Sequence, residues 1–430
     1  MEETRKQIRL WCRATALYCR AFVRWLVLAT LIGVLCGLLG AVFHIALEHV
    51  TELRGERPWL LYALPLAGLA IVALYRLLRV EGQGTNDVFI QVYQGGDISI
   101  RLVPAIFIGT VLTHLCGGSA GREGAALQMG GTLGYHLGRL CRLDEKELRI
   151  ATTAGMAAFF SALFGTPLAA AVFAIAVVSV DAFYHAALFP ALTAALEAYG
   201  ISLLMGIAPA QFQIAVPVLT LEVLLRAAVL AMLCALLSAV FCETIHMTGS
   251  LMARALPNPW LRILAGACLV IVMTLLCGVG DYNGAGMNVI AAAVEEGTVR
   301  PWAFALKLVF TAVTLGAGFK GGEVVPSFFV GAAFGCWVGP LLGLPAGFAA
   351  ALGMVSVFCG AVNCPLASIF LSVELFGSDG ILCFALACCI SYMLSGYNGL
   401  YSGQKILHSK LKALYINVNA NQETPEAGGK

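Results

Sequence analysis

Gly117-Gly118-Ser119-Ala120-Gly121-Arg122-Glu123-Gly124 interrupts a long apolar stretch, and its reading decides the fold. Four glycines in eight positions deny it regular structure, whereas the following Ala125-Ala126-Leu127-Gln128-Met129 predicts a helix that starts just after Glu123. Glu123 is therefore expected at a helix N-terminus. Unpaired backbone N–H groups and the positive end of the helix dipole collect anions there. A carboxylate in that position occupies a site that a dissolved anion would otherwise take, and a proton would vacate it. This points to an anion pathway gated by its own acid.

Composition gives the setting. Apolar residues make up 60% of the 430, charged residues only 12%, and the mean hydropathy is +0.87. That balance belongs to a polytopic membrane protein embedded in a lipid bilayer. A net charge of +2 is too small to indicate nucleic acid as a partner. The 15 cysteines are scattered through apolar segments without C-x-x-C pairs, so no metal site or cofactor is expected from them. No cleavable signal peptide is expected, because Arg5, Lys6, Arg9, Arg13 and Arg20 precede the first long apolar run.

Residues 1–20 read as a basic amphipathic helix on the membrane surface, with Ile8, Leu10, Trp11 and Leu17 toward lipid and the N-terminus cytoplasmic by the positive-inside rule. Leu26 to Leu47 and Pro58 to Leu78 are long enough to cross. Leu102 to Leu115, Gly124 to Leu137, Pro301 to Leu315, Val324 to Leu342 and Pro365 to Phe376 are short apolar segments bounded by Gly or Pro. Longer spans return at Ala186 to Met205 and Val216 to Ile245. Short, broken helices at membrane depth are tolerated only inside protein or beside a wet cavity.

The second half repeats the first. Gly121-x-Glu123 recurs as Gly321-Gly322-Glu323, and Gly82-x-Gly84-x-Asn86 recurs as Gly284-x-Gly286-x-Asn288. Gly155-Met156, Phe160 and Pro167-Leu168-Ala169 recur as Gly353-Met354, Phe358 and Pro365-Leu366-Ala367. Three landmarks in one order at a nearly constant offset of about two hundred residues define two structural repeats, assigned to residues 21–210 and 211–412. Residues 413–430 are expected to be a polar, disordered tail, with no appended regulatory domain. Lys405, Lys410 and Lys412 are consistent with a cytoplasmic C-terminus.

From about residue 20 to residue 410 the chain resembles the CLC family of chloride channels and proton-coupled anion antiporters. Gly121-Arg122-Glu123-Gly124 is similar to that family's gating-glutamate motif, Lys320-Gly321-Gly322-Glu323-Val324-Val325-Pro326 to its second pore motif, and Gly399-Leu400-Tyr401-Ser402 to the start of the helix that supplies the pore tyrosine. Thr314 to Val324, Glu374-Leu375-Phe376-Gly377 and Ser395 to Tyr401 resemble the fluoride/proton antiporter branch. Gly82-Gln83-Gly84-Thr85-Asn86 departs from both the chloride and the fluoride patterns, and Val325 stands where a threonine is usual in the fluoride branch.

The resemblance implies an all-α polytopic membrane protein of two inverted structural repeats with many short, broken, tilted helices. It also implies a homodimer with one pore per subunit in the plasma membrane. Glu123 would be the external gate and proton acceptor; Gly121, Arg122, Gly124, Gly322, Glu323, Val324, Tyr401, Gln83 and Thr85 would line the anion path. The implied function is halide transport, fluoride or chloride, in exchange for protons; the alternative is a passive voltage- or pH-gated channel. Ala176 and Val177 fall where the chloride exchangers carry a proton-transfer glutamate, which keeps that alternative open.

Structural roles compete at several positions. Glu123 can pair with Arg122, and Glu323 with Lys320; Tyr401 can belong to an interfacial belt. Lys307 can add positive potential or snorkel to the surface, and Glu374 reads as structural. Gly117-x-Ser119-x-Gly121 with His114 fits a hydrolase nucleophile pattern but lacks its strand-turn-helix context, so no enzyme is expected. His44, Glu48 and His49 match no zinc motif: on a helix His44 and Glu48 share a face and His49 is turned away.

Overall fold

The computed structural model describes residues 2–180, 184–412 and 414–422. Sixteen α-helices follow in chain order: α1 Glu2–Glu56, α2 Leu64–Leu77, α3 Thr85–Gln94, α4 Leu102–Leu115, α5 Glu123–Leu140, α6 Glu145–Phe164, α7 Pro167–Ala176 and α8 Leu188–Leu204. The second series is α9 Leu221–Ala255, α10 Pro259–Cys277, α11 Met287–Ala291, α12 Ala303–Ala317, α13 Val324–Val338, α14 Ala346–Val362, α15 Pro365–Phe376 and α16 Ile381–Leu394. Among the described residues five helical segments are long and apolar enough to cross a membrane, and seven further apolar helices have 10–17 residues. The mixture of long and short apolar helices agrees with the expected broken-helix architecture.

Two expectations need correction. Residues 2–20 do not form a separate surface helix; they run without a break into the first span as the single 55-residue α1. Nothing in that stretch is a helix breaker, since Pro and Gly are absent from residues 1–32. The tail is also ordered in part. A strand β1, Lys405–His408, pairs antiparallel with β2, Tyr415–Asn419, and Lys405 exchanges backbone hydrogen bonds with Val178 and Val180. Ala413 and residues 423–430 of the expected tail lie outside the described residues. The span read from Val216 begins as a helix only at Leu221, where the Thr220 hydroxyl accepts the Val223 N–H.

The repeat is visible in the packing. Gly130 and Gly134 on α5 meet Gly155 and Ala151 on α6, and Gly331 and Gly335 on α13 meet Gly353 and Ala349 on α14. A Cβ at any of the four α5 or α13 glycines would collide with a carbonyl of the facing helix. Small residues four apart are what lets two helix backbones close in the absence of a hydrophobic drive between them. The elbows match too: α6 ends at Gly165 and α14 at Asn363, both left-handed, and a proline then opens α7 and α15.

The two repeats meet at their pore loops. Gly121 N–H donates to the Gly322 carbonyl at 2.7 Å, and Gly322 N–H donates to the Gly121 carbonyl at 2.9 Å. This antiparallel bridge relates the loop before α5 to the loop before α13 by an approximate two-fold. Threonines on the preceding helices repeat the exchange. Thr314 Oγ1 on α12 accepts the Ser119 N–H at 3.1 Å, and Thr113 Oγ1 on α4 accepts the Lys320 N–H at 3.2 Å. Each threonine hydroxyl donates in turn to the carbonyl four residues back in its own helix. Loop backbone buried at membrane depth is thus paired by the opposite repeat.

Candidate anion site between two helix N-termini

Glu123 is the first residue of α5 and is fully buried. Its side chain turns back so that Oε2 accepts the Arg122 N–H at 2.9 Å and, from the other repeat, the Val325 N–H at 3.3 Å. Val325 lies in the first turn of α13. One carboxylate oxygen is therefore held by the N-termini of two helices from two repeats, a site built for negative charge. Gly121 makes room for it, since a Cβ there would lie 2.5 Å from Glu123 Oε2. Gly124 and Gly322 sit with a would-be Gly124 Cβ 3.0 Å from the Gly322 Cα, so neither accepts a side chain without parting the loops.

Oε1 of Glu123 is buried without a hydrogen-bond partner among the described residues. Arg122 Nε stands 3.8 Å away, while its guanidinium donates to the Leu163 carbonyl at 3.2 Å and lies over the Phe164 ring at 5.9 Å. Arg122 thus biases the site positive without pinning Oε1. The Arg122–Glu123 pairing weighed from the sequence is present only as this loose contact, and the backbone amides hold the carboxylate.

Two cavities approach the site. The smaller, about 190 Å³, is lined by Gln83, Thr85, Gln128, Lys320, Glu323 and Tyr401 among others. It gathers four of the residues assigned to the anion path from widely separated parts of the chain. Tyr401 is 3% exposed, rests edge-on against Phe89 at 5.0 Å, and has no partner for its hydroxyl among the described residues. An interfacial belt position is thereby excluded for it. Asn86 secures this wall by accepting the Gly403 N–H at 2.9 Å and donating to Ser402 at 3.0 Å. Glu323 stands at the N-cap position of α13 without a side-chain capping bond and forms no ion pair among the described residues; Lys320 stacks instead on Tyr75, its Nζ 4.2 Å from the ring centroid.

Gln128 was not singled out from the sequence. It donates to Thr85 Oγ1 at 3.0 Å and leaves its own oxygen unpartnered in the cavity wall. The available signal was a lone amide inside the apolar opening of α5.

The larger cavity, about 770 Å³, is lined by residues of α1 and the α4 end together with Arg122, Val325 and the 280–288 loop. Arg54 reaches the His114 carbonyl at 2.7 Å. Lys307 is fully buried and donates to the carbonyls of Tyr282 at 3.2 Å and Gly284 at 2.6 Å, which rules out snorkelling and makes it the cation that holds the loop. Glu374 has the structural role expected of it: its two oxygens accept the Leu168 and Ala169 N–H groups, both at 2.9 Å, at the start of α7. Ser119 Oγ is buried against Thr311 Oγ1 at 3.0 Å, and His114 Nδ1 donates to the Thr110 carbonyl rather than to the serine.

Residues 67–396 match the family model described as voltage gated chloride channel. The chain belongs to the CLC family. It is 38% identical over 397 residues to a chloride/fluoride channel protein of Pseudomonas syringae pv. tomato, a match that covers 90% of this chain and 87% of the relative. A solved CLC-type fluoride/proton antiporter superposes with a TM-score of 0.86 at 36% identity, over 89% of this chain and 98% of that one. A slow cyanobacterial chloride/proton antiporter shares the fold, with a TM-score of 0.75 at 20% identity over 86% and 94% of the two chains. The CLC chain described here is accordingly a polytopic membrane protein of two inverted repeats.

Proposed function

We propose that this CLC protein is a transmembrane halide transporter that exchanges fluoride or chloride for protons, with Glu123 as gate and proton acceptor. The observation that carries this reading is the Glu123 carboxylate held by amides from both repeats. Ionised, it fills the place where an anion stripped of water would be stabilised; neutralised by a proton, it no longer competes for those donors. On the far side, Tyr401 Oη, the amides at the start of α13 and the wall of Gln83, Thr85 and Glu323 would receive the anion. The similarity to a chloride/fluoride channel protein and to a fluoride/proton antiporter supports the same class of cargo.

A passive channel is the second reading, favoured by the apolar Ala176 and Val177 at the end of α7, where the chloride exchangers of the family carry a proton-transfer glutamate. Reconstituted vesicles loaded with fluoride or with chloride decide between them. Antiport requires proton movement tied to anion release, whereas a channel lets the anion run down its gradient alone.

The proposal further includes a homodimer with one pore per subunit, resting on the CLC resemblance, and a plasma-membrane setting with cytoplasmic termini, supported by the arginines and lysines at both ends. A transporter rather than an enzyme is supported by the pairing of Ser119 with Thr311.

A further inference from the structure

Away from the anion path, a separate cavity of about 600 Å³ lies between the first turns of α6, the end of α7 and the β1–β2 hairpin. Its wall begins in the sequence Asp144-Glu145-Lys146-Glu147-Leu148-Arg149. Helical spacing puts Lys146, Arg149 and Thr153 on one face of α6, and all three line the cavity. Glu147 is engaged elsewhere: its two oxygens accept the Arg24 guanidinium of α1 at 2.7 and 2.8 Å. Lys405, from β1, brings a third cation to the wall.

These cations lack counter-charges. Lys146, Arg149 and Lys405 form no ion pair among the described residues, and no carboxylate among them lines the cavity. Lys405 Nζ lies instead over the Tyr93 ring, 5.7 Å from its centroid. Three like charges gathered round one cavity repel one another, and an anion seated between them relieves that repulsion. Ser179, Tyr184 and Asn417 add neutral hydrogen-bonding groups to the same wall.

We propose that this cavity is a binding site for a phosphate-bearing anion, held by Lys146, Arg149 and Lys405. A guanidinium matches two phosphate oxygens at once, and the two ammonium groups add point charges on either side. The volume falls in the ~300–1,000 Å³ range of small-molecule sites, and it is far roomier than the cavity of about 190 Å³ at Tyr401. A polyatomic anion therefore suits it better than a bare halide. This end of the molecule faces the cytoplasm in the topology proposed above.

The site is also placed to brace the segment that leads away from Tyr401. Lys405 exchanges backbone hydrogen bonds with Val178 and Val180 beyond α7. Its neighbour Gln404 donates its side-chain amide to the carbonyls of Val177 at 2.9 Å and Val362 at 2.8 Å, and its N–H to the Tyr401 carbonyl at 3.0 Å. A phosphate that joins Lys405 to α6 tightens this connection.

The same chemistry has two sources, a soluble phosphate compound and a phospholipid headgroup, and the test separates them. Full-length protein in neutral detergent is titrated with inorganic pyrophosphate, followed by calorimetry and by the unfolding midpoint. In a second arm the midpoint is followed with short-chain phosphatidylglycerol against short-chain phosphatidylcholine. Arg149→Gln and Lys405→Gln are each expected to weaken binding about ten-fold, and Lys146→Gln, at an exposed position that spares the fold, to weaken it in the same direction. Lys412→Gln, an exposed cation beside the hairpin that does not line the cavity, should leave binding unchanged. A response to pyrophosphate assigns the site to a soluble compound, and a response to phosphatidylglycerol but not phosphatidylcholine assigns it to a headgroup. No response to either probe overturns the inference, as does a response that Lys412→Gln weakens as much as Arg149→Gln. Neither readout requires transport, so failure of the halide–proton reading would leave this inference standing.

Discussion

Gly121 and Gly322 exchange two backbone hydrogen bonds, of 2.7 and 2.9 Å, where the pore loops of the two repeats touch. That reciprocal pairing sets the start of α5 against the start of α13. It is why one carboxylate at Glu123 accepts amides from both. Any antiparallel bridge exchanges bonds in both directions; here its two members are glycines of the matching pore loops of the two repeats.

The first prediction concerns that contact. A Cβ on Gly322 would collide with the Gly124 amide and lie 3.2 Å from the Glu123 amide. Gly322→Ala is expected to cost toward the upper end of ~1–3 kcal/mol, because backbone cannot swing aside as a side-chain tip can. Thermal unfolding followed by size exclusion reads the stability. Anion efflux from vesicles should fall with it.

The two threonine caps are equivalent in geometry but not in depth. Ser119, held by Thr314, is fully buried, whereas the bond from Lys320 to Thr113 is only partly buried. Thr314→Val should therefore destabilise more than Thr113→Val, each within ~1–3 kcal/mol for an orphaned N–H. Paired unfolding curves check the order, and a larger cost at Thr113 would contradict it.

Tyr401 offers a cleaner separation of function from stability. Its hydroxyl has no partner among the described residues, so Tyr401→Phe should leave the unfolding temperature nearly unchanged. If the hydroxyl serves an anion, halide affinity should drop by about 0.5–1.5 kcal/mol, roughly two- to thirteen-fold, in titration calorimetry. Unchanged affinity would remove Tyr401 from the pathway.

Lys307 combines the two effects. Lys307→Met leaves the Tyr282 and Gly284 carbonyls without their buried donor and withdraws a positive charge from beside the larger cavity. A stability loss of about 1–3 kcal/mol is expected, together with several-fold slower anion flux at low salt and a smaller deficit at high salt. Flux series at two ionic strengths test the electrostatic part.

Much of this was legible in the sequence because the duplication is written in glycines and prolines. Gly155, Pro167, Gly353 and Pro365 mark helix contacts and elbows whose backbone demands survive wherever the repeat survives. Glu123 was legible for a local reason: a carboxylate between a glycine run and an apolar helix has one mechanical place to go. Partners from the other repeat were not legible. The carboxylate takes the Val325 amide, and Glu374 caps α7 about two hundred residues upstream. Neither contact leaves a periodicity to read. The charged residues of positions 2–20 suggested a surface helix, yet uninterrupted helix propensity carried α1 through. The polar composition after Ala413 hid a strand whose partner, Lys405–His408, is itself anchored on Val178 and Val180.

The central claim is that the Glu123 carboxylate stands in the anion's place until a proton discharges it. Its most direct test is proton movement in vesicles under an imposed fluoride or chloride gradient, with wild type and Glu123→Gln side by side. The account predicts that the wild type drives protons against their gradient and that Glu123→Gln moves none. Uphill proton movement that persists in Glu123→Gln would contradict it.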